Sequence, residues 1–183
     1  LTSIGTLTVN GDIQGTASYS ITSGNEDGIF LINGNTLQVA DSTKLDYEAA
    51  VTHILTIKVE DSENTDEENV RVDLINLNDN TPVLQNAVFT IPENVSNGTV
   101  VGVVTATDAD AGLTPLTYTI ESGNNDNIFI INSSTGIINV VDNTNLDYET
   151  TNRYVLSVKV SDTLNESTAL ITVDITDETG TCS

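Results

Sequence analysis

The chain contains one module twice, and that repeat constrains its fold more than any other feature. The stretch "YSITSGNEDGIFLINGNTLQVADSTKLDYEAAVTHILTIKVED", starting at Tyr19, aligns with "YTIESGNNDNIFIINSSTGIINVVDNTNLDYETTNRYVLSVKVSD", starting at Tyr118, with a two-residue gap near Asn35. A unit recurring at a spacing of roughly 100 residues means that one fold, not two unrelated ones, accounts for most of the 183 residues. The spacing divides the chain into a first repeat over residues 1–80, a second over 81–178 and a tail over 179–183.

Within each copy the apolar residues alternate, with a period of two. In the second copy this predicts strands near 87–91, 99–107, 115–121, 127–131, 136–141, 153–160 and 168–175. They are separated by the turn chemistry of "SNG", "DADAG", "SGNND", "NSSTG", "DNTNLD" and "SDTLNES". No segment has a helical period. Seven short strands per copy predict an all-β protein of two tandem antiparallel Greek-key sandwiches, immunoglobulin-like in architecture. The run Ile128 to Ile131 is expected in the core, with Tyr118 and Tyr154 as its aromatic fillers. The first copy is shorter at its front: aligning "IGTLTV" with "VGVVTA" leaves no counterpart of "AVFTIPEN". Such a copy exposes a sheet edge, which either upstream chain or a strand donated by another molecule is expected to cover.

Between the copies, Val70, Val72 and Leu74 alternate with Arg71, Asp73 and Ile75. The pattern then dissolves at Asn78, Asp79 and Asn80, whose side chains compete for their own backbone, and Pro82 lacks a donor for any ladder. Charge says what this polar knot does. Acidic residues outnumber basic ones 27 to 5, for a net charge of −22. That surface repels nucleic acid and anionic lipid headgroups, so neither is a partner, and it calls for cations. Disorder, the usual fate of acidic chains, is opposed by 38% hydrophobic residues set in alternating runs.

Several acids recur at one end of the module. Asp46 and Glu48 in "LDYE" are two apart, an extended-like spacing that points both the same way, and Asp147 with Glu149 repeats it. Asp108 and Asp110 share the spacing in the loop after a strand, and Asp162 follows another. If one site gathers Asp46, Glu48, Asp79, Asp108, Asp110 and Asp162, each pair roughly 6 Å apart repels by about 3 kcal/mol at an effective dielectric of about 20. Only bound cations reconcile such a group. With oxygen ligands alone and no Cys or His cluster, the chemistry selects calcium over zinc or copper, and flexible geometry selects it over magnesium. "DADAG" is not an EF-hand loop, because the required Gly and Glu positions hold Leu113 and Thr119.

Enzymatic chemistry finds no support. His53 alternates to the surface of a strand, no Ser or Cys stands in a nucleophile motif, and no glycine-rich phosphate loop is present. Cys182 is alone in the tail, so there is no internal disulfide framework. No signal peptide, 18-residue apolar run or lipidation motif is seen, and any such signal is expected outside this sequence. Four sequons, at Asn94, Asn97, Asn132 and Asn165, are candidate glycosylation sites and favour secretion; Asn97 is expected in a turn and Asn165 in a hairpin loop.

Taken together, "NLNDNTP" (Asn76 to Pro82), "PEN" (Pro92 to Asn94), "TATDAD" (Thr105 to Asp110) and "LDYE" in both copies resemble the linker and calcium motifs of cadherin extracellular repeats, in the family's order over nearly the whole chain. The resemblance implies that Asp46 and Glu48 bind calcium from the first repeat. Asp79 bridges ions in the linker, the Asn78 side chain and the backbone of Leu77 and Asn80 supply oxygens, and Asp108, Asp110 and Asp162 close the site. It implies several calcium ions, up to about three at the linker. Leu113 stands where the family often has Asn, Asn76 where Asp is usual, and the first copy lacks the Glu of "PEN". Outer sets are implied as well: Asp12 and Asp61 at the top of the first repeat, and Glu93, Asp147 and Glu149 at the bottom of the second. There the following linker reads "TDETG", and Asp177 or Glu178 stands in place of the family's Asn-Asp-Asn.

By that resemblance the chain is a rigid extracellular or cell-surface module, partnered by neighbouring repeats in the same chain and acting in calcium-dependent cell adhesion. The alternative is a structural subunit of an extracellular fibre or matrix, assembled by strand donation at the incomplete first repeat.

Overall fold

A computed structural model describes residues 1–178. It is all-β, and the only helical segment among the described residues is the single 3-10 turn Ser42–Lys44. The chain forms two compact units, Leu1–Leu77 and the residues from Asn78 onward.

The first unit contains β1 (Thr2–Thr6), β2 (Ser18–Ser23), β3 (Phe30–Asn33), β4 (Thr36–Val39), β5 (Thr52–Glu60) and β6 (Thr65–Asp73). They form two three-stranded sheets, ordered β1-β4-β3 and β2-β5-β6. Period-two patterning sets the inner faces: in β5, Leu55 and Ile57 are buried while Ile54 faces out. Ile29, Phe30 and Leu37 complete this core.

The second unit contains β7 (Val83–Leu84), β8 (Ala87–Pro92), β9 (Val100–Val103), β10 (Ala106–Thr107), β11 (Thr117–Ser122), β12 (Phe129–Ile131), β13 (Ile137–Val140), β14 (Arg153–Ser161) and β15 (Glu166–Thr176). A four-stranded sheet, β11-β14-β15-β8, and a three-stranded sheet, β12-β13-β9, enclose a core that includes Leu156, Val158, Ile171 and Val173, all fully buried. Each such side chain contributes roughly 1.5–3 kcal/mol through burial.

Four sequence expectations need correction. The strand anticipated at 99–107 is two strands, because β9 pairs with β13 whereas β10 pairs with β7, and the chain changes partners at Val104. The sandwich is not wholly antiparallel, since β8 runs parallel to β15 from Ala87↔Ile171 to Pro92↔Thr176. Ile130 is 54% exposed, because alternation along β12 turns it away from Phe129 and Ile131. His53 is not a surface residue: it is half-buried, its ring meets Phe30 edge-on at 5.3 Å, and its Nε2 is buried without a hydrogen-bond partner. Tyr118 and Tyr154 do fill the core, their hydroxyls engaged by Ala106 N–H and the Asn145 carbonyl.

Candidate metal centre

One end of the second unit gathers six polar residues of the linker and two loops. Asp110 is 2% exposed and Asp162 is fully buried, the only buried charged side chains among the described residues. Burying a carboxylate is costly unless N–H donors or a cation meet it. Asp162 sits in the turn between β14 and β15, where its Oδ1 accepts Leu164 N–H (2.8 Å) and Asn165 N–H (2.6 Å). The Asn165 N–H is the main reason its carboxyl lies below the usual range, in spite of burial. Asp110 accepts Asn80 N–H at 2.6 Å and Asn80 Nδ2 at 3.1 Å, and its own N–H donates to Asp108 Oδ1 at 3.0 Å. Asn80 Nδ2 also reaches Asp79 Oδ1 at 3.2 Å, and Asn78 Nδ2 reaches the Asp162 carbonyl at 3.5 Å. Asn78 with Asp162, and Asp79, Asn80 and Asp108 with Asp110, thus form two hydrogen-bonded sets, which Asn165 joins by bonding both Asp162 and the Asn80 carbonyl. The Leu77 side chain is exposed and makes no part of it.

The donor set fits a hard cation. Every side-chain acceptor in the group is oxygen, and Asn78 Oδ1 is buried with no hydrogen-bond partner, an orphan acceptor that a cation would satisfy. The chain's own cations are engaged elsewhere: Lys44 with Asp41, Lys58 with Glu60, Arg71 with Asp73, Arg153 with Asp174, and Lys159 with Glu121 and Glu166.

The opposite end of β15 carries a second acidic group. Glu93, Asp147 and Glu149 place carboxylate oxygens within 4.8 Å of one another. Glu93 joins two segments here, accepting Tyr148 N–H at 2.8 Å on one oxygen and Glu178 N–H at 3.1 Å on the other. The Thr150 hydroxyl is the main cause holding the Asp147 carboxyl low. Glu149 is drawn down by its own backbone N–H, yet lies above the usual range because the hydrogen bond with Asp147, desolvation and the charges of Glu93 and Asp177 together oppose its ionisation. Mutual repulsion of this kind is what a bound cation relieves. Asp177 is exposed.

In the first unit, Asp46 and Glu48 are exposed. "LDYE" is not extended: Asp46 Oδ1 accepts the N–H groups of Glu48 (3.0 Å) and Ala49 (3.2 Å), so the acid caps a turn by hydrogen-bonding backbone two and three residues on. Asp147 makes the corresponding bond to Glu149 N–H at 3.2 Å. Asp61 accepts Gln14, Glu63 and Asn64 N–H groups, in that order the main causes of its low carboxyl pKa, and lines one shallow cleft with Asp12.

Asn94, Asn97 and Asn132 are exposed, Asn97 within a turn. Asn165 differs, as its Nδ2 donates to the Asn80 carbonyl at 2.9 Å. Sequence reasoning missed this role because the same three residues read as a sequon; the available signal was that Asn165 and Ser167 are two apart at a strand start. Cys182 lies outside the described residues. Among the described residues, no helix is long and apolar enough to cross a membrane.

The sequence model described as the cadherin domain matches residues 3–75 and 87–176. The chain is 38% identical to Protocadherin Fat 4 of Mus musculus over 170 residues, covering 89% of this chain and 3% of that protein. It is 36% identical to Cadherin-23 of Rattus norvegicus over 159 residues, covering 81% and 5%. The chain therefore spans only a small part of the curated relatives it matches. Among solved structures, the human Desmocollin-1 ectodomain superposes with a TM-score of 0.76 at 26% identity, covering 97% of this chain and 36% of that one. Mouse Cadherin-23 superposes with a TM-score of 0.73 at 25% identity, covering 97% and 60%. Cadherin repeats generally bind calcium and are adhesion modules, not enzymes. With two family matches that together span most of its length, the chain belongs to the cadherin family, as two tandem extracellular or cell-surface repeats.

Proposed function

We propose that calcium shared by the two repeats turns their linker from a hinge into a strut, and that this stiffness serves calcium-dependent cell adhesion. In this reading several ions, up to about three, are held by Asp46 and Glu48 from the first repeat, by Asn78, Asp79 and the carbonyls of Leu77 and Asn80 in the linker, and by Asp108, Asp110 and Asp162 from the second. Calcium supplies charge neutralisation that permits these acids to be close; without it, two small domains joined by a linker move relative to one another by default. The observation that carries the reading is the pair of buried carboxylates, Asp110 and Asp162, beside the orphan oxygen of Asn78. Glu93, Asp147, Glu149 and Asp177 form an outer half-site by the same logic, and Asp12 with Asp61 another. Extracellular modules of this kind bind at about 10⁻⁴ to 10⁻³ M, which matches calcium outside cells. The partners in this reading are neighbouring cadherin-like repeats in the same chain.

Calorimetric calcium titration with small-angle scattering tests this on the wild type and Asp79→Ala. The wild type narrows to a rod-like distance distribution in millimolar calcium, and Asp79→Ala loses that response. Superimposable wild-type curves with and without calcium refute the strut.

A second reading, a fibre or matrix subunit assembled by strand donation, is favoured by one observation: β6 is an edge strand, whereas its counterpart β15 is covered by β8. Mass that rises with protein concentration, and falls on adding a peptide of the β8 sequence, supports it; a constant monomer mass removes it.

A further inference from the structure

Side chains two apart on a strand point the same way, and the start of β15 uses this on the linker. Asn165 Nδ2 donates to the Asn80 carbonyl at 2.9 Å, and Ser167 Oγ donates to the Pro82 carbonyl at 2.5 Å. Donors and acceptors are both spaced by two, so residues 80–82 are fastened at two successive points by side chains, outside any strand ladder. The consequence reaches the acids. Asn165 backbone N–H holds Asp162 Oδ1 at 2.6 Å, and its Nδ2 also approaches Asp162 Oδ2 at 3.4 Å. Asn80, so held, directs its N–H and its Nδ2 at Asp110, at 2.6 and 3.1 Å. Asn165 therefore touches both the linker and one buried carboxylate, and through Asn80 it acts on the other.

The first repeat carries the asparagine of this pair but not the serine. Asn64 stands where Asn165 does, two residues before Asp66 in place of Ser167. Asn64 bonds Asp61 through its N–H at 2.7 Å, but the residue two positions on, Asp66, carries a carboxylate and no hydroxyl.

We propose that Asn165 and Ser167 are positioning residues that form a latch, presetting the linker side of the metal centre, and that the Asn165 sequon is consequently not a glycan acceptor in the folded protein. Glycan transfer joins the sugar C1 of a diphosphate-linked oligosaccharide donor to Nδ2; the diphosphate leaves and one Nδ2 proton is lost. At Asn165 that removes one of the two hydrogens now directed at Asn80 and Asp162 and sets a bulky group at a half-buried position. Elsewhere the amide faces the other way: Asn97 and Asn132 use Oδ1, accepting from Asn143 N–H and from Ser134 and Thr135 N–H, and both are exposed.

The metal part of this inference rests on the calcium reading above, whereas the latch and the glycan pattern do not. The test compares the whole chain, unglycosylated, as wild type, Asn165→Ala, Ser167→Ala and Ser167→Thr. Amide hydrogen exchange of peptides spanning 79–84 without calcium is measured beside calcium affinity by calorimetry. Asn165→Ala and Ser167→Ala speed exchange by roughly tenfold, the scale of one lost hydrogen bond, and weaken calcium binding by several-fold, while Ser167→Thr, which keeps the hydroxyl, restores both. Unchanged exchange in both alanine variants overturns the latch. Faster exchange with no calcium binding in the wild type leaves the latch standing and removes the calcium reading instead. Glycopeptide mapping of the chain secreted from mammalian cells leaves Asn165 bare; a glycan on Asn165 in folded, secreted protein overturns the exclusion.

Discussion

The two repeats share a sequence pattern and differ in how much of it is covered. In the second repeat, β15 carries Ile171 and Val173 at zero exposure, because β8 lies along it. Their counterparts on β6, Val70 and Val72, are only partly buried. The same residue types at the same register thus make a sealed core in one copy and a half-open one in the other. Burial depends on a neighbour that a strand's own sequence does not contain.

The largest difference is expected from truncating that face. Ile171→Ala removes fully buried volume and costs about 2–5 kcal/mol, whereas Val70→Ala, already partly solvated, costs about 1 kcal/mol or less. Chemical denaturation followed by a probe in each repeat measures both; equal losses would break the comparison.

A second contrast concerns glycine. Gly5 and Gly102 are equivalent by alignment. A Cβ on Gly102 would lie 2.3 Å from the Phe89 ring of β8, while a Cβ on Gly5 meets nothing within 4 Å. Gly102→Ala is therefore expected to destabilise the second repeat by about 1–3 kcal/mol, as overpacking does, and Gly5→Ala to be close to neutral in the same thermal melt.

A smaller effect separates His53 from Tyr154. Each meets a Phe edge-on at 5.3 Å, but the Tyr154 hydroxyl donates to the Asn145 carbonyl at 3.3 Å whereas His53 Nε2 is buried without a partner. His53→Tyr is expected to stabilise the first repeat by about 1 kcal/mol, the value of a regained hydrogen bond. A lower melting temperature would show that the imidazole is the better filler there.

The last contrast is pH dependence. Asp61 and Asp162 both have carboxyls held below their unfolded value by backbone N–H groups, from Gln14 first in one and Asn165 first in the other. A carboxyl with a depressed folded pKa binds fewer protons when folded. Its contribution is therefore complete above the unfolded pKa of about 3.9 and is lost as pH falls through the folded one. Asp162→Asn should flatten the acid-side loss of stability of the second repeat, as pH falls below the unfolded carboxyl value of about 3.9, without flattening that of the first, as read from denaturation midpoints across acidic pH.

Much of the fold was legible beforehand. The duplicated pattern specified two β units, and Tyr118, Tyr154, Ile128 and Phe129 were found inside. The second strand of the module was misjudged because exchange of partners between β13 and β7 leaves no mark on alternation across 99–107. The parallel pairing of β8 was hidden for a similar reason, since alternation is blind to strand direction. Of the candidate site, Asp108, Asp110, Asp162 and the Asn78–Asn80 knot were singled out in the sequence by the acids that follow its strands and by the loss of alternation at the linker, and the structure brings them to one end of the second unit. Asp46 and Asp147 were misread as extended because a capped turn and a strand can share that spacing, and hydrogen-bond geometry distinguishes them.

The linear order of residues was sufficient to specify the repeat, the strand period and the excess of oxygen donors over cations, because each is a property of neighbours along the chain. Which acids are buried, which strand face is sealed, and whether "NES" grips the linker or faces solvent were decided only by folding. Those outcomes depend on segments dozens of residues apart meeting at one place, such as Asn165 at Asn80 and Phe89 at Gly102.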